Sequence, residues 1–245
     1  IQEQARIAEA LSSHRIALET IQDSLASAAR VRLAFVEDQL VKKFSDASYM
    51  SVADLLREPP RNGKSPRASE HATELRTVSI SAIKNGIFDP EDCYKNVDMA
   101  RDEAKPFFVR KGDAFAVRGN GNRLLMGKVG LCSRDFSNLI YPDLLIRLRF
   151  DEAVILTEFA VAQWNHPSVH AKLARRAKSS NGIWKINGQD IRAHKLRVPS
   201  ITQQSEVVCI LSQFDAQLEA IQKREASLRN LQKRIFNEAF NEAGT

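Results

Sequence analysis

At 245 residues the chain has room for one sizeable domain with extensions, and 43% hydrophobic with 27% charged residues excludes wholesale disorder. No apolar run approaches the roughly 18–20 residues that a membrane span needs. Three scattered cysteines, Cys93, Cys132 and Cys209, speak against a disulfide framework and for a reducing, cytoplasmic setting, while a net charge of +6 points to an anionic partner.

Residues 1–44 contain neither Gly nor Pro and keep a seven-residue apolar repeat. Leu11, Leu18 and Leu25 share one heptad position, and Ile7, Ile21, Ala28 and Phe35 share its partner, with His14 as an interruption. Such a seam buries its apolar edge against another helix. A helix of about 40 residues would be roughly 60 Å long.

The texture changes over residues 45–199. Arg57 to Arg67 (REPPRNGKSPR) predicts a loop, because Pro59, Pro60, Gly63 and Pro66 interrupt regular structure. Strand-like runs follow at Leu75–Ile83, Phe107–Val109, Ala114–Arg118, Leu124–Leu131 and Leu144–Phe150. The last alternates, with Leu144, Ile146, Leu148 and Phe150 on one side and Arg147 and Arg149 on the other. A helix is expected over Ala153–Trp164 with a buried Ile155/Leu156/Phe159/Ala160 face. A second opens at Pro167, a favoured first helical position, and brings Lys172, Arg175 and Arg176 onto one face. This middle reads as a compact mixed α/β domain.

Residues 200–245 return to the first texture. Val207, Phe214, Ile221, Leu228 and Ile235 fill one heptad position and Leu211 and Leu218 the other, interrupted at Glu225 and Gln232. Laid without a gap over residues 1–40, residues 201–240 agree at about a quarter of positions, from Ile1/Ile201 to Ile21/Ile221 and Gln22/Gln222. The two arms could pair with each other or each with a different chain; the expected fold is an α/β domain flanked by two long helices forming an antiparallel coiled-coil arm.

The middle holds 25 of the 36 basic and 18 of the 30 acidic residues, so the positive excess lies there. It concentrates over residues 171–197, where Lys172, Arg175, Arg176, Lys178, Lys185, Arg192, Lys195 and Arg197 face only Asp190. Duplex DNA rewards such clustering through counterion release.

No catalytic constellation emerges. Gly63-Lys64-Ser65 resembles the end of a Walker A loop, but Glu58 stands where that loop needs its first glycine. Gly119-Asn120-Gly121 lacks the third glycine of a dinucleotide fingerprint, Leu124 standing in its place. His166 and His170 have a metal-like spacing without a third ligand, so no metal site is expected. Pro59-Pro60, between Glu58 and Arg61, lacks the flanking residues with which base amino-methyltransferases hold a flipped base.

A succession of landmarks resembles the specificity subunits of type I restriction–modification systems over essentially the whole chain. Gly63-Lys64-Ser65-Pro66 resembles the family's early Gly-x-Ser/Thr-Pro turn, and Ile80 to Asp89 (ISAIKNGIFD) its strand-and-turn element. Lys111-Gly112-Asp113 with Arg118-Gly119 resembles a Lys-Gly-Asp…Arg-x-Gly stretch, and Val198-Pro199-Ser200-Ile201 with Gln204 the entry into a helical region. The resemblance implies a target-recognition domain at 45–199 between helical arms at 1–44 and 200–245. A full subunit carries two such domains, so a fragment or half-subunit is expected.

The resemblance further implies a non-catalytic protein of a bacterial or archaeal cytoplasm that reads half of a split target on double-stranded DNA. Methyltransferase subunits would dock on the helices through Leu11, Leu18, Ile21, Leu25, Leu211, Phe214, Leu218, Ile221 and Leu228. They would carry S-adenosylmethionine, this chain itself binding no cofactor. A restriction and motor subunit would join, and a second copy or another recognition domain would read the other half-site. Alternatives are the recognition portion of a fused restriction–methylation enzyme, or a coiled-coil adaptor that binds protein. For base readout the candidates are Arg61, Lys64 and Arg67 in the first loop and Arg118, Asn120, Asn122 and Arg123 in the glycine-rich one, since Arg bridges guanine and Asn adenine. Lys172, Arg175, Arg176 and Lys178 are the phosphate candidates.

Overall fold

A computed structural model describes residues 2–44 and 46–242; Ile1 and the side chain of Ile7 lie outside the described residues. The chain divides into two compact units, Ile1–Asp38 with Val208–Thr245, and Gln39–Val207.

In the first unit, helix Gln2–Val36 lies beside the distal part of helix Ile201–Glu242. Gln22 donates to Glu225 (3.3 Å), Arg32 pairs with Asp215 (2.6 Å), and the rings of Phe35 and Phe214 stand 5.6 Å apart. One number falls as the other rises, so the helices run antiparallel. Burial follows the predicted seam: Leu11, His14, Leu18, Ile21, Leu25, Ala28, Arg32 and Phe35 form the less exposed stripe of the first helix. Leu211, Phe214, Leu218, Ile221, Glu225, Leu228, Gln232 and Ile235 form that of the second. The steps alternate between three and four residues, the mark of knobs-into-holes packing. The polar residues expected to interrupt the seam sit inside it. His14 is 6% exposed, with its Nε2 lacking a hydrogen-bond partner, and the register of the three contacts places it level with residues 233–235, next to Gln232 of the seam. Polar groups at such positions fix register at a cost in stability. Leu18→Ala, at a 9%-exposed seam position, is expected to cost about 2 kcal/mol, read as a lower thermal midpoint of the helical signal. An unchanged midpoint would mean that the seam does not hold the pair.

The second unit is built on a six-stranded sheet in the spatial order Arg61–Asn62, Leu145–Leu148, Ala114–Val117, Val129–Leu131, Ile87–Phe88, Ile83–Lys84. Neighbours are antiparallel except Val129–Leu131 beside Ile87–Phe88. Ala114–Val117 is buried throughout, as an apolar run covered on both faces must be. Phe88, Phe115 and Tyr141 stack at its centre, with ring centroids 4.7 and 4.9 Å apart. Two three-stranded sheets flank it: Arg67–Ala68, Tyr94–Asp98 and Leu75–Val78; and Lys178–Ser180, Ile183–Lys185 and Gly119–Asn120. A fourth ladder, Tyr49–Ser51 on Lys195–Arg197, joins the two ends of the domain. Helices Thr157–Asn165 and Pro167–Ala174 pack beside the sheet, and the indole of Trp164, fully buried, donates to the Gly127 carbonyl (2.9 Å).

Several local expectations change. Leu75–Ile83 is broken by a 3-10 turn at Ile80–Ala82. Phe107 closes another such turn, leaving a single bridge from Phe108 to Ile140. Only Val129–Leu131 of the 124–131 run is strand, and Leu124 and Leu125 stand exposed on a turn. The helix expected from Ala153 begins at Thr157, while the one at Pro167 begins as predicted. The loop of residues 57–67 carries two short pairings, Arg61–Asn62 and Arg67–Ala68. Most consequentially, Leu145–Leu148 is buried throughout, Arg147 included at 5% exposure, because other parts of the chain cover the sheet here, with the Tyr141 ring 5.5 Å from the Arg147 guanidinium. The guanidiniums are therefore paired internally: Arg149 bridges both oxygens of the fully buried Asp113 (2.5 and 3.3 Å), and Arg147 binds Glu58 (2.9 Å) and the Pro106 carbonyl (3.1 Å).

Among the described residues no helix is long and apolar enough to cross a membrane.

Candidate nucleic-acid interface

The two loops singled out for base readout meet on one segment, Tyr141–Leu145. Gly63 N donates to Leu145 O (3.1 Å), Lys64 N to Tyr141 O (3.0 Å) and Arg118 N to Leu144 O (2.8 Å). A Cβ on Gly63 would stand 2.2 Å from the Tyr141 carbonyl oxygen, so this approach admits glycine alone. Ser65 binds the Asp143 carboxylate, and Arg118 Nη1 lies 4.0 Å from the same group. Residues 82, 77 and 26 apart in sequence are tied together here by backbone hydrogen bonds that the residue types do not announce.

The candidates differ in what they have free. Arg61 and Arg67 are exposed, and neither guanidinium is ion-paired among the described residues. Lys64 is paired with Glu103. Asn120 and Asn122 use their side-chain oxygens to accept the amides of Asn122 (2.8 Å) and Leu124 (2.9 Å), which shapes the turn. Arg123 lies over the Trp184 ring (4.5 Å) and donates from Nε and Nη2 to the Ala174 carbonyl (3.3 and 2.9 Å). It therefore fastens the glycine-rich turn to the end of the basic helix.

That turn also carries the chain's basic stretch. Gly119 and Asn120 pair with Lys185 and Trp184, and Ile183–Lys185 pairs with Lys178–Ser180. Lys172, Arg175, Arg176, Lys178, Lys185, Arg192 and Lys195 are all exposed, and among the described residues none is ion-paired with a carboxylate. Helix Pro167–Ala174 turns Val169, His170, Leu173 and Ala174 inward, which leaves its cations on the outside. His170 spends Nε2 on the Met126 carbonyl (2.7 Å), and His166 Nδ1 faces Ser168 (2.9 Å). Among the described residues no group of three metal-ligating side chains assembles.

Lys172 and Arg176 line a cavity of about 290 Å3 with Tyr49, Ala193, His194 and Lys195. Arg197 Nε donates to the Tyr49 hydroxyl (2.9 Å), and Lys172 Nζ lies 5.3 Å from the Tyr49 ring. Burial works to raise the phenol's pKa, but the Arg197 hydrogen bond and the charges of Lys172 and Arg197 outweigh it and the net direction is down. His194 is pushed down to about 4 by burial, with Arg176, His170 and Lys172 adding their repulsion. Tyr49, His194 and Lys195 were not among the residues expected from the sequence. Lys195 had the density of positive charge as a signal; Tyr49, more than a hundred residues upstream, had none.

A mixed α/β domain with a long helix before it and another after it is the build of type I specificity subunits. The chain superposes on the S subunit of the M. genitalium type I restriction–modification system with a TM-score of 0.62 at 15% identity, covering 96% of this chain and 59% of that one. It matches a chain of a type I restriction–modification assembly (TM-score 0.61, 14% identity, 98% and 58% covered) and the HsdS subunit of Thermoanaerobacter tengcongensis (0.56, 13%, 96% and 56%). In sequence it is 28% identical over 185 residues to the EcoKI specificity subunit of Escherichia coli K12, a match over 74% of this chain and 39% of that protein. No family model matches. The chain thus spans about two-fifths of the length of its curated relative, and in sequence and fold it is similar to part of a type I specificity subunit.

Proposed function

We propose that this chain is the DNA-reading part of a type I restriction–modification complex, recognising one portion of a split target while other subunits do the chemistry. The observation that carries the proposal is the set of exposed cations from Lys172 to Lys195, without carboxylate partners among the described residues, on a domain of the specificity-subunit fold. Exposed positive charge without internal neutralisation is what phosphates reward. In this reading Lys172, Arg175, Arg176 and Lys178 hold the backbone, and Arg61 and Arg67, whose guanidiniums are not ion-paired among the described residues, read bases. Asn120 and Asn122 shape the glycine-rich turn, and Arg123 fastens it to the Ala174 carbonyl. The helical pair docks methyltransferase subunits, on which S-adenosylmethionine sits, and a motor subunit joins for restriction. The chain is then a non-catalytic cytoplasmic component.

The two roles separate in a salt titration. Arg175→Gln is expected to weaken binding to every duplex alike and to make the log–log salt slope shallower by about one. Arg61→Ala or Arg67→Ala is expected to change preference among sequences, by about 1–3 kcal/mol at one base pair, with non-specific affinity nearly intact. Random-sequence duplex and a selected duplex pool supply the two measurements. Loss of sequence preference in Arg175→Gln, with unaltered preference in both arginine variants, would reverse the assignment.

A further inference from the structure

We propose that the cavity between the Tyr49–Ser51/Lys195–Arg197 ladder and the Pro167–Ala174 helix is a socket for a single phosphate group, gripped by Lys172, Arg176, Lys195 and the Tyr49 hydroxyl.

The ladder's register builds one wall. Tyr49 is opposite Arg197, Met50 opposite Leu196 and Ser51 opposite Lys195. Side chains alternate across a strand, so Leu196, fully buried, faces inward with Met50, while Tyr49, Arg197 and Lys195 share the other face. The helix supplies Lys172 and, just past its end, Arg176. Three cations therefore converge on about 290 Å3 of space that no carboxylate lines among the described residues. Mutual repulsion of unpaired cations costs free energy unless an anion fills the space between them.

The phenol is oriented for the same ligand. Its oxygen accepts from Arg197 Nε at 2.9 Å, which leaves its own hydrogen to be given to something else. A phosphate oxygen at the cavity mouth is a fitting acceptor, and a donor next to two cations gives a stronger, charge-assisted bond. His194, 2% exposed and edge-on to Trp164 at 4.7 Å, closes the wall, with its Nε2 unpartnered. Burial depresses its pKa first and the charges of Arg176, His170 and Lys172 add to that, so the pKa would rise when an anion offsets those charges.

A DNA backbone phosphate is the source that the proposed function supplies, and the socket rests on that reading; free phosphate has the same chemistry. Binding of random-sequence duplex by the full chain is measured at several salt concentrations for the wild type, Lys195→Gln, Tyr49→Phe and, as a control outside the cavity, Lys84→Gln. Lys195→Gln is expected to lower the salt slope by about one. Tyr49→Phe removes no charge, so its slope should hold while affinity falls about tenfold at every salt. The second arm follows the His194 ring by NMR as inorganic phosphate is added. A shift of its titration to higher pH in the wild type, absent in Lys195→Gln, is expected.

Wild-type binding to duplex with Lys195→Gln and Tyr49→Phe indistinguishable from Lys84→Gln would overturn the socket and leave the DNA-reading role standing. No duplex binding by the wild type, but a phosphate-dependent His194 shift, would retain the socket for free phosphate and sink the DNA role. Neither duplex binding nor a His194 shift would end both.

Discussion

Asp113→Ala is expected to cost the domain about 3–5 kcal/mol, the usual loss when one member of a buried ion pair is deleted. Asp113 is fully buried, and its carboxylate accepts from Arg149 Nε and Nη2 and from the Arg110 amide at 2.9 Å. The hydrogen bond to Asp113 is the largest influence on Arg149, whose pKa is raised. Removing the carboxylate leaves a mostly buried guanidinium short of a counter-charge and the turn at Lys111-Gly112 without its anchor. Glu58, 3.3 Å from Arg149 Nη1 and shared with Arg147, compensates only in part. Asp113→Asn keeps the shape and should lose less. Urea unfolding followed through Trp164, which is fully buried, reads the effect. A loss under about 1 kcal/mol in Asp113→Ala would show that the Arg147/Arg149 pairings do not hold the sheet.

Acid is expected to destabilise the same domain through His194. Its folded pKa of about 4 lies below the ordinary 6.5, because burial and the neighbouring cations disfavour the charged ring. An unfolded chain takes up a proton near pH 6.5, whereas the folded one does so only near pH 4. The stabilisation of the neutral ring is therefore fully present above about pH 6.5, is lost as pH falls towards 4, and amounts to about 3 kcal/mol. His170 acts with the same sign: burial lowers its pKa more than the Met126 hydrogen bond raises it, and Lys128 lowers it further. Chemical denaturation at pH 7.5, 6, 5 and 4.5 should show a steady fall that is much reduced in His194→Gln. Equal stability at pH 7.5 and 5 in the wild type would contradict the burial of a neutral imidazole. Filling the phosphate socket should shrink the dependence, since an anion there restores a place for the proton.

Gln204 shows how a landmark of sequence acquires a physical role. Fully buried, it accepts the Leu156 amide at 2.8 Å and donates to the Val154 and Pro199 carbonyls at 3.1 and 2.9 Å. One amide side chain thus pins the loop before Thr157–Asn165 to the start of the long helix. Asp113, in the Lys-Gly-Asp stretch, does the same for the central strands. These positions carry the resemblance to specificity subunits, and their work is to hold the fold.

The arms were legible because a coiled-coil seam is a one-dimensional property. Burial at every third and fourth residue leaves its period in the order of Leu11, Leu18, Leu25 and Phe35, whatever the rest of the chain does. Helix Pro167–Ala174 and its outward Lys172 were legible for the same reason: proline sets the start and the turn sets the face. The basic stretch was visible as composition. What tertiary structure alone decided is which residues meet. Two- and three-residue strands such as Arg61–Asn62 or Tyr49–Ser51 have no period to leave, and exist only because a partner strand supplies their hydrogen bonds. Arg147 and Arg149 alternate with leucines as solvent-facing residues do, yet Tyr141 packs against Arg147, and Asp113, Glu58 and the Pro106 carbonyl make the burial of the two guanidiniums affordable. Tyr49 enters the basic cavity because residue 49 pairs with residue 197, a closure that no local pattern encodes.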